Sequence, residues 1–137
     1  MANAFIDSKV SSSNAPGKGL NIGLWVVQGL LALAFVGAAS GKLLGKPEMV
    51  ALYEVIGIGQ WFRYVTGLVE LTGAALILVP KTRVIGAALL AGTMLGAIAT
   101  HLFVLHNAPT APVVLLALVS FVLWGRRAEL GKLLGRS

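Results

Sequence analysis

YVTGLVELTGAALILV, residues Tyr64 to Val79, is apolar enough to lie in a lipid bilayer, yet it carries Glu70 near its middle. A charge at membrane depth costs about 2.5–3.5 kcal/mol on insertion scales. Such a group is retained where it is paired, protonated or wetted. On a helix, the residues three and four positions from Glu70 are Thr66, Gly67, Gly73 and Ala74. All are small, so this face suits helix packing, and Glu70 should look into a bundle rather than at lipid. The stretch therefore predicts a membrane helix that belongs to a group of helices.

The composition agrees. Of 137 residues, 57% are hydrophobic and 12% charged, and the mean hydropathy is +0.87. Soluble domains carry about a quarter charged residues. Such an apolar chain cannot cover itself with polar surface in water, so an integral membrane protein is expected. There is no cysteine, which excludes disulfides, thiolate nucleophiles and cysteine-held metals or clusters. The net charge of +6 does not point to nucleic acid, because the basic residues flank apolar segments, where they set topology.

Four apolar runs are read, over residues 20–44, 61–79, 84–105 and 111–124. At the helical rise the first three reach roughly 28–38 Å, enough to cross a bilayer. The fourth is short, and crosses if extended back to Pro109 and forward past Trp124, with Arg126 and Arg127 snorkelling. The expected fold is all-α: a polytopic four-transmembrane-helix bundle over residues 20–124, with a disordered cytoplasmic tail at 1–19 and a basic one at 125–137. The turns are PKTR (80–83) and HNAPTAP (106–112), with Thr110 as N-cap and Pro112 in the first turn. Residues 45–60 have helical periodicity, with Met49, Leu52, Tyr53 and Ile56 on one face. They read as a short amphipathic helix in the membrane interface, started by Pro47 and ended by Gly57; an ordinary loop helix is the other reading. VGAASG (36–41) has the form of a signal-peptidase site, but the long preceding tail, the continuing apolar run and Lys42 count against cleavage.

Orientation follows from Lys and Arg. Four spans put Lys9, Lys18, Lys81, Arg83, Arg126, Arg127, Lys132 and Arg136 on one side, and Lys42, Lys46 and Arg63 on the other. Eight against three predicts both termini in the cytoplasm, in a plasma (inner) membrane. Trp25, Trp61 and Trp124 fall near the interfaces as belt residues. Small residues form stripes: Ala88, Gly92, Gly96 and Thr100 on the third span, Gly29, Gly37 and Gly41 on the first, Gly67 and Ala74 on the second. These predict close helix packing.

Two partners for Glu70 come from other spans, Lys42 near the outer end of the first and His101 near the outer end of the third. A buried polar cluster of Lys42, Glu70 and His101 is expected, joined by Tyr64, Thr66 and Thr100. Lys42 also has a snorkelling reading, and His101 a reading as a ligand of a neighbouring backbone. His106 reads as a solvated loop residue. No metal-ligand spacing is present, because two histidines five apart do not share a helical face.

The motifs GAASGKLLG (37–45), VTGLVELTGAALIL (65–78) and GAIATHLFV (96–104), in a four-span chain of this length, resemble the DoxX family and its DoxX-like branch. The resemblance covers about residues 20–124. It implies a link to membrane redox systems: members are associated with a thiosulfate:quinone oxidoreductase subunit and a bacterial membrane redox complex, while distant relatives act as assembly chaperones for membrane receptors. The leading expectation is an accessory subunit of a quinone-linked redox system, not an enzyme on its own, with a quinone or other lipophilic ligand near the cluster. There His101 would exchange protons or bond a quinone oxygen, Glu70 would tune it, and Lys42 would balance the charge. The rival is a non-catalytic assembly factor, in which the buried pair sets helix register. A small-solute permease would need a more polar path. The expected partners are lipid and a protein of a membrane complex carrying flavin, haem or an iron–sulfur centre, with self-association as a further option.

Overall fold

Six α-helices and one π-helical turn, with no strand, make up residues 15–135, which the computed structural model describes. Residues 1–14, including Lys9, and Arg136 and Ser137 lie outside the described residues. The helix α1 runs Lys18–Leu43, so it begins inside the segment expected as a tail. Its buried residues Leu24, Gln28, Leu31, Ala32, Phe35 and Ala39 recur every three or four positions, a single stripe along one side. Gly45, in the left-handed region at φ 71°, turns the chain out of it. The short α2, Pro47–Ile56, starts on proline and ends at Gly57, whose φ of 82° closes a C-cap with its N–H on the Tyr53 carbonyl.

The helix α3, Gln60–Ile77, buries Arg63, Gly67, Glu70, Gly73, Ala74 and Ile77. The turn at 80–83 is held by the Thr82 hydroxyl on the Leu76 carbonyl at 3.0 Å. The helix α4, Arg83–Thr100, continues through a π-helical turn, His101–Leu105, which ends at His106 with φ 52°. The helix α5 is Thr110–Gly125 and the short α6 is Arg127–Leu133. Thr110 is thus the first residue of α5 rather than its side-chain cap, while Pro112 lies in the first turn as its missing N–H permits.

Neighbouring long helices pack in sequence: α1 on α3, α3 on α4, α4 on α5, and α5 back on α1. Leu31, Phe35, Ala74, Ile77, Leu90, Met94, Val119 and Val122 fill the space between them. Two helical stretches, Lys18–Leu43 and Arg83–Leu105, are long and apolar enough to cross a membrane. Thr110–Gly125 is apolar but shorter, and Gln60–Ile77 carries Arg63 and Glu70 within its 18 residues.

Close approach is concentrated on a few glycines. A Cβ on Gly73 would sit 2.6 Å from Leu90, one on Gly86 2.7 Å from the Ile77 backbone nitrogen, and one on Gly125 2.5 Å from Leu24. The stripes expected to seat the first and third spans behave differently. Gly29, Gly37, Gly92 and Gly96 have nothing within 4 Å of a Cβ position among the described residues, whereas Gly41 of the first stripe meets Lys46 and Met49 at 3.4 and 3.8 Å. Periodicity identifies a small-residue face but not which surface it meets.

Candidate functional site

Gly67 is where the site begins. A Cβ there would lie 3.0 Å from Leu43 and 3.3 Å from the Lys42 side chain, so its absence lets the end of α1 lie against α3. That approach brings Lys42 Nζ to 2.8 Å from Glu70 Oε1. The Glu70 side chain is 4% exposed and that of Lys42 14%. Glu70 is buried and Lys42 half-buried, and the geometry of the pair is a charge-assisted hydrogen bond. Glu70 Oε2 is also buried and has no hydrogen-bond partner among the described residues.

Arg63 secures the arrangement from the next turn of α3. It is buried, donates from Nε to Gln60 Oε1 at 2.8 Å and from its guanidinium to the Lys42 carbonyl. A helix leaves its last carbonyls without intrahelical partners, and a cation at that end also meets the negative pole of the helix dipole. Arg63 therefore fastens the end of α1 that presents Lys42. Its charge is not simply a topology signal at the membrane edge.

Beside the pair is a cavity of about 740 Å³, lined mostly by apolar side chains. Lys42, Thr66, Glu70, Thr100 and His101 all border it. Thr66 and Thr100 turn their hydroxyls to the Arg63 and Gly96 carbonyls, at 3.1 and 2.9 Å. His101 Nδ1 lies 2.5 Å from Asn107 Oδ1. Tyr64 does not join the group. It is 47% exposed, stands outside the cavity lining, and lies under the Arg63 guanidinium at 4.4 Å.

The tyrosine that does reach the site is Tyr53 of α2. It is buried, its hydroxyl is 2.6 Å from Thr66 Oγ1, and it borders the cavity. Met49, Leu52 and Ile56 border it too. The apolar face of α2, expected to lie on the membrane interface, instead covers the cavity. The periodicity of residues 45–60 revealed that face but could not say whether lipid or protein would meet it.

A second polar group lies toward the other end of the chain's packing. Arg126 is 1% exposed. Its Nε and Nη2 donate to Gln28 Oε1 at 3.1 and 3.0 Å, and Nη1 donates to Asn21 Oδ1 at 2.6 Å. Gln28 in turn donates to the Ile77 carbonyl at 2.7 Å. Arg83 forms two hydrogen bonds with Glu129, at 2.8 and 2.6 Å, and its guanidinium stands 5.4 Å from the Trp25 ring. Arg126 does not snorkel; it ties α1 to the end of α5. The sequence signal was Gln28, an amide on the same stripe as Leu24, Leu31 and Phe35. Among the described residues no group of three or more His, Asp or Glu could hold a metal ion.

No curated protein and no solved structure gives a significant match. A family profile, that of the DoxX-like family, matches residues 26–122, a span that takes in α1 from Val26 through most of α5 and includes Lys42, Glu70 and His101. With well over half of its residues matched by that profile, this chain belongs to the DoxX-like family.

Proposed function

We propose that this protein spans the inner membrane four times, with both termini in the cytoplasm, and serves as an accessory subunit of a quinone-linked redox system. In this reading α1, α3, α4 with its π turn, and α5 form a four-helix bundle, and residues 20–124 are its membrane domain. The observation that carries the proposal is the cavity: mostly apolar, about 740 Å³, with the ion pair of half-buried Lys42 and buried Glu70 in its wall. Lipophilic ligand sites combine this apolar lining with a few placed polar groups. An ionisable pair inside a membrane is expensive, and such residues by default mark functional positions.

In that use Lys42 and Glu70 hold the polar headgroup of a quinone-class ligand, and His101, which lines the same cavity, bonds it or exchanges a proton with it. The electron-carrying centre belongs to a partner protein with flavin, haem or an iron–sulfur cluster. The test is to isolate the protein with its partners from native membranes and compare quinone-dependent electron transfer in wild-type and Glu70→Gln membranes. A co-purifying redox protein and impaired transfer in the variant are the expected results. Unchanged transfer together with reduced abundance of a bound membrane protein would replace this reading with an assembly role.

A further inference from the structure

Resting on the reading of the cavity as a lipophilic site, we propose that α2 is its lid. The helix tips on the glycines at its two ends, is latched by the Tyr53–Thr66 hydrogen bond, and moves aside to let an apolar ligand pass. Met49, Leu52, Tyr53 and Ile56 of α2 border the cavity. Glu48, Ala51 and Glu54 of the same helix are exposed. The helix therefore stands between an apolar space and polar surroundings.

Its attachment is slight. Of the ten residues of α2 only Tyr53 is buried. Among the described residues two side-chain hydrogen bonds join α2 to the rest of the chain. The Tyr53 hydroxyl meets Thr66 Oγ1 at 2.6 Å, and Gln60 Nε2 donates to the Val50 carbonyl at 3.0 Å. A segment with so little buried opens far more readily than a core helix. The other walls differ: Phe35 and Met94 line the cavity and also belong to the core between the long helices. Displacing α1 or α4 would disrupt that core, whereas Tyr53 is no part of it.

The ends of α2 are built to bend. Gly45 precedes it at φ 71°, and Gly57 and Gly59 follow it at φ 82° and 120°. Glycine moves through these regions without a side-chain clash, so such positions absorb the backbone rotation of a hinge. Both hinge points are seated on fixed structure. A Cβ on Gly45 would lie 3.5 Å from the guanidinium of buried Arg63, which bonds the end of α1. Gly59 leads straight into α3 at Gln60. The helix body between these points can tip about the line that joins them.

The test uses the full cysteine-free chain in nanodiscs, with one reporter thiol under the lid, Ala97→Cys on the cavity wall. Two control thiols are Glu48→Cys on the outer side of α2 and Val119→Cys in the core. The reagent is a charged methanethiosulfonate, and the apolar probe is N-phenyl-1-naphthylamine. Tyr53→Phe removes the latch hydroxyl and keeps the ring. It should speed modification of Ala97→Cys about two- to tenfold and leave both control rates unchanged. Excess probe should slow the Ala97→Cys reaction. An Ala97→Cys rate that ignores Tyr53→Phe, or a Val119→Cys rate that rises equally, would overturn the lid. Protection by the probe would then still uphold the cavity as a lipophilic site, and its absence would overturn that reading too. Hydrogen exchange on the unaltered chain tests the lid without a variant. Amides of α2 should exchange about tenfold or more faster than those of residues 67–77 in α3; equal protection would overturn the lid.

Discussion

At Glu70 one carboxylate oxygen is answered by Lys42 and the other is not. Removing one member of a buried ion pair leaves an uncompensated charge, whereas replacing both with apolar groups is often neutral. Lys42→Met should therefore lower stability by about 3 kcal/mol, and Lys42→Met combined with Glu70→Leu should recover most of that loss. Thermal unfolding of the three purified forms in one detergent measures it; a double variant no better than the single would contradict the pairing. The sequence made this residue readable because its helical neighbours are small. It did not make Tyr53 readable as a site residue, because the direction of α2 depends on a chain reversal between α1 and α3. Arg63 was hidden for a similar reason: a basic residue near the end of an apolar run counts equally well as a topology signal. Gln28 was the one visible clue to Arg126. Breaking that network with Gln28→Leu should cost about 2 kcal/mol, since it leaves a buried guanidinium short of acceptors; the same melting experiment reads it.

Among the elements, α3 and α4 interlock next to their turn through Gly73 and Gly86, and farther along they border the cavity with Val65, Val69, Thr93 and Gly96. Gly86→Ala should destabilise by about 1–3 kcal/mol through overpacking against the Ile77 backbone. Gly92→Ala meets open space, so it should be neutral or stabilising by about 0.5–1 kcal/mol through helix propensity. If Gly92→Ala proves the more damaging in the isolated chain, the face carrying Gly92 is a contact surface within it after all. Helix positions were legible from apolar periodicity and from Pro47, Gly57 and the 80–83 turn. The use of each glycine was not, because a missing side chain creates contact only where another helix arrives.

For the whole molecule, the asymmetry of Lys and Arg predicts that the 80–83 turn and the chain ends share the cytoplasmic side, opposite α2. The cysteine-free sequence makes this simple to check with single cysteines. Lys81→Cys should react with an impermeant maleimide only after the inner face is opened, and Glu48→Cys should react in intact cells or spheroplasts. The reverse pattern would invert the topology. The number of spans was harder to read than the helices themselves, since α3 trades apolarity for Arg63 and Glu70 and α5 is short. What joins these scales is an apolar cavity whose wall contains a sheltered ion pair. Native mass spectrometry of protein released from its own membranes tests that most directly. Wild type should carry a lipophilic small molecule that the Lys42→Met/Glu70→Leu form has lost; an empty wild type, or equal occupancy in both, would contradict it.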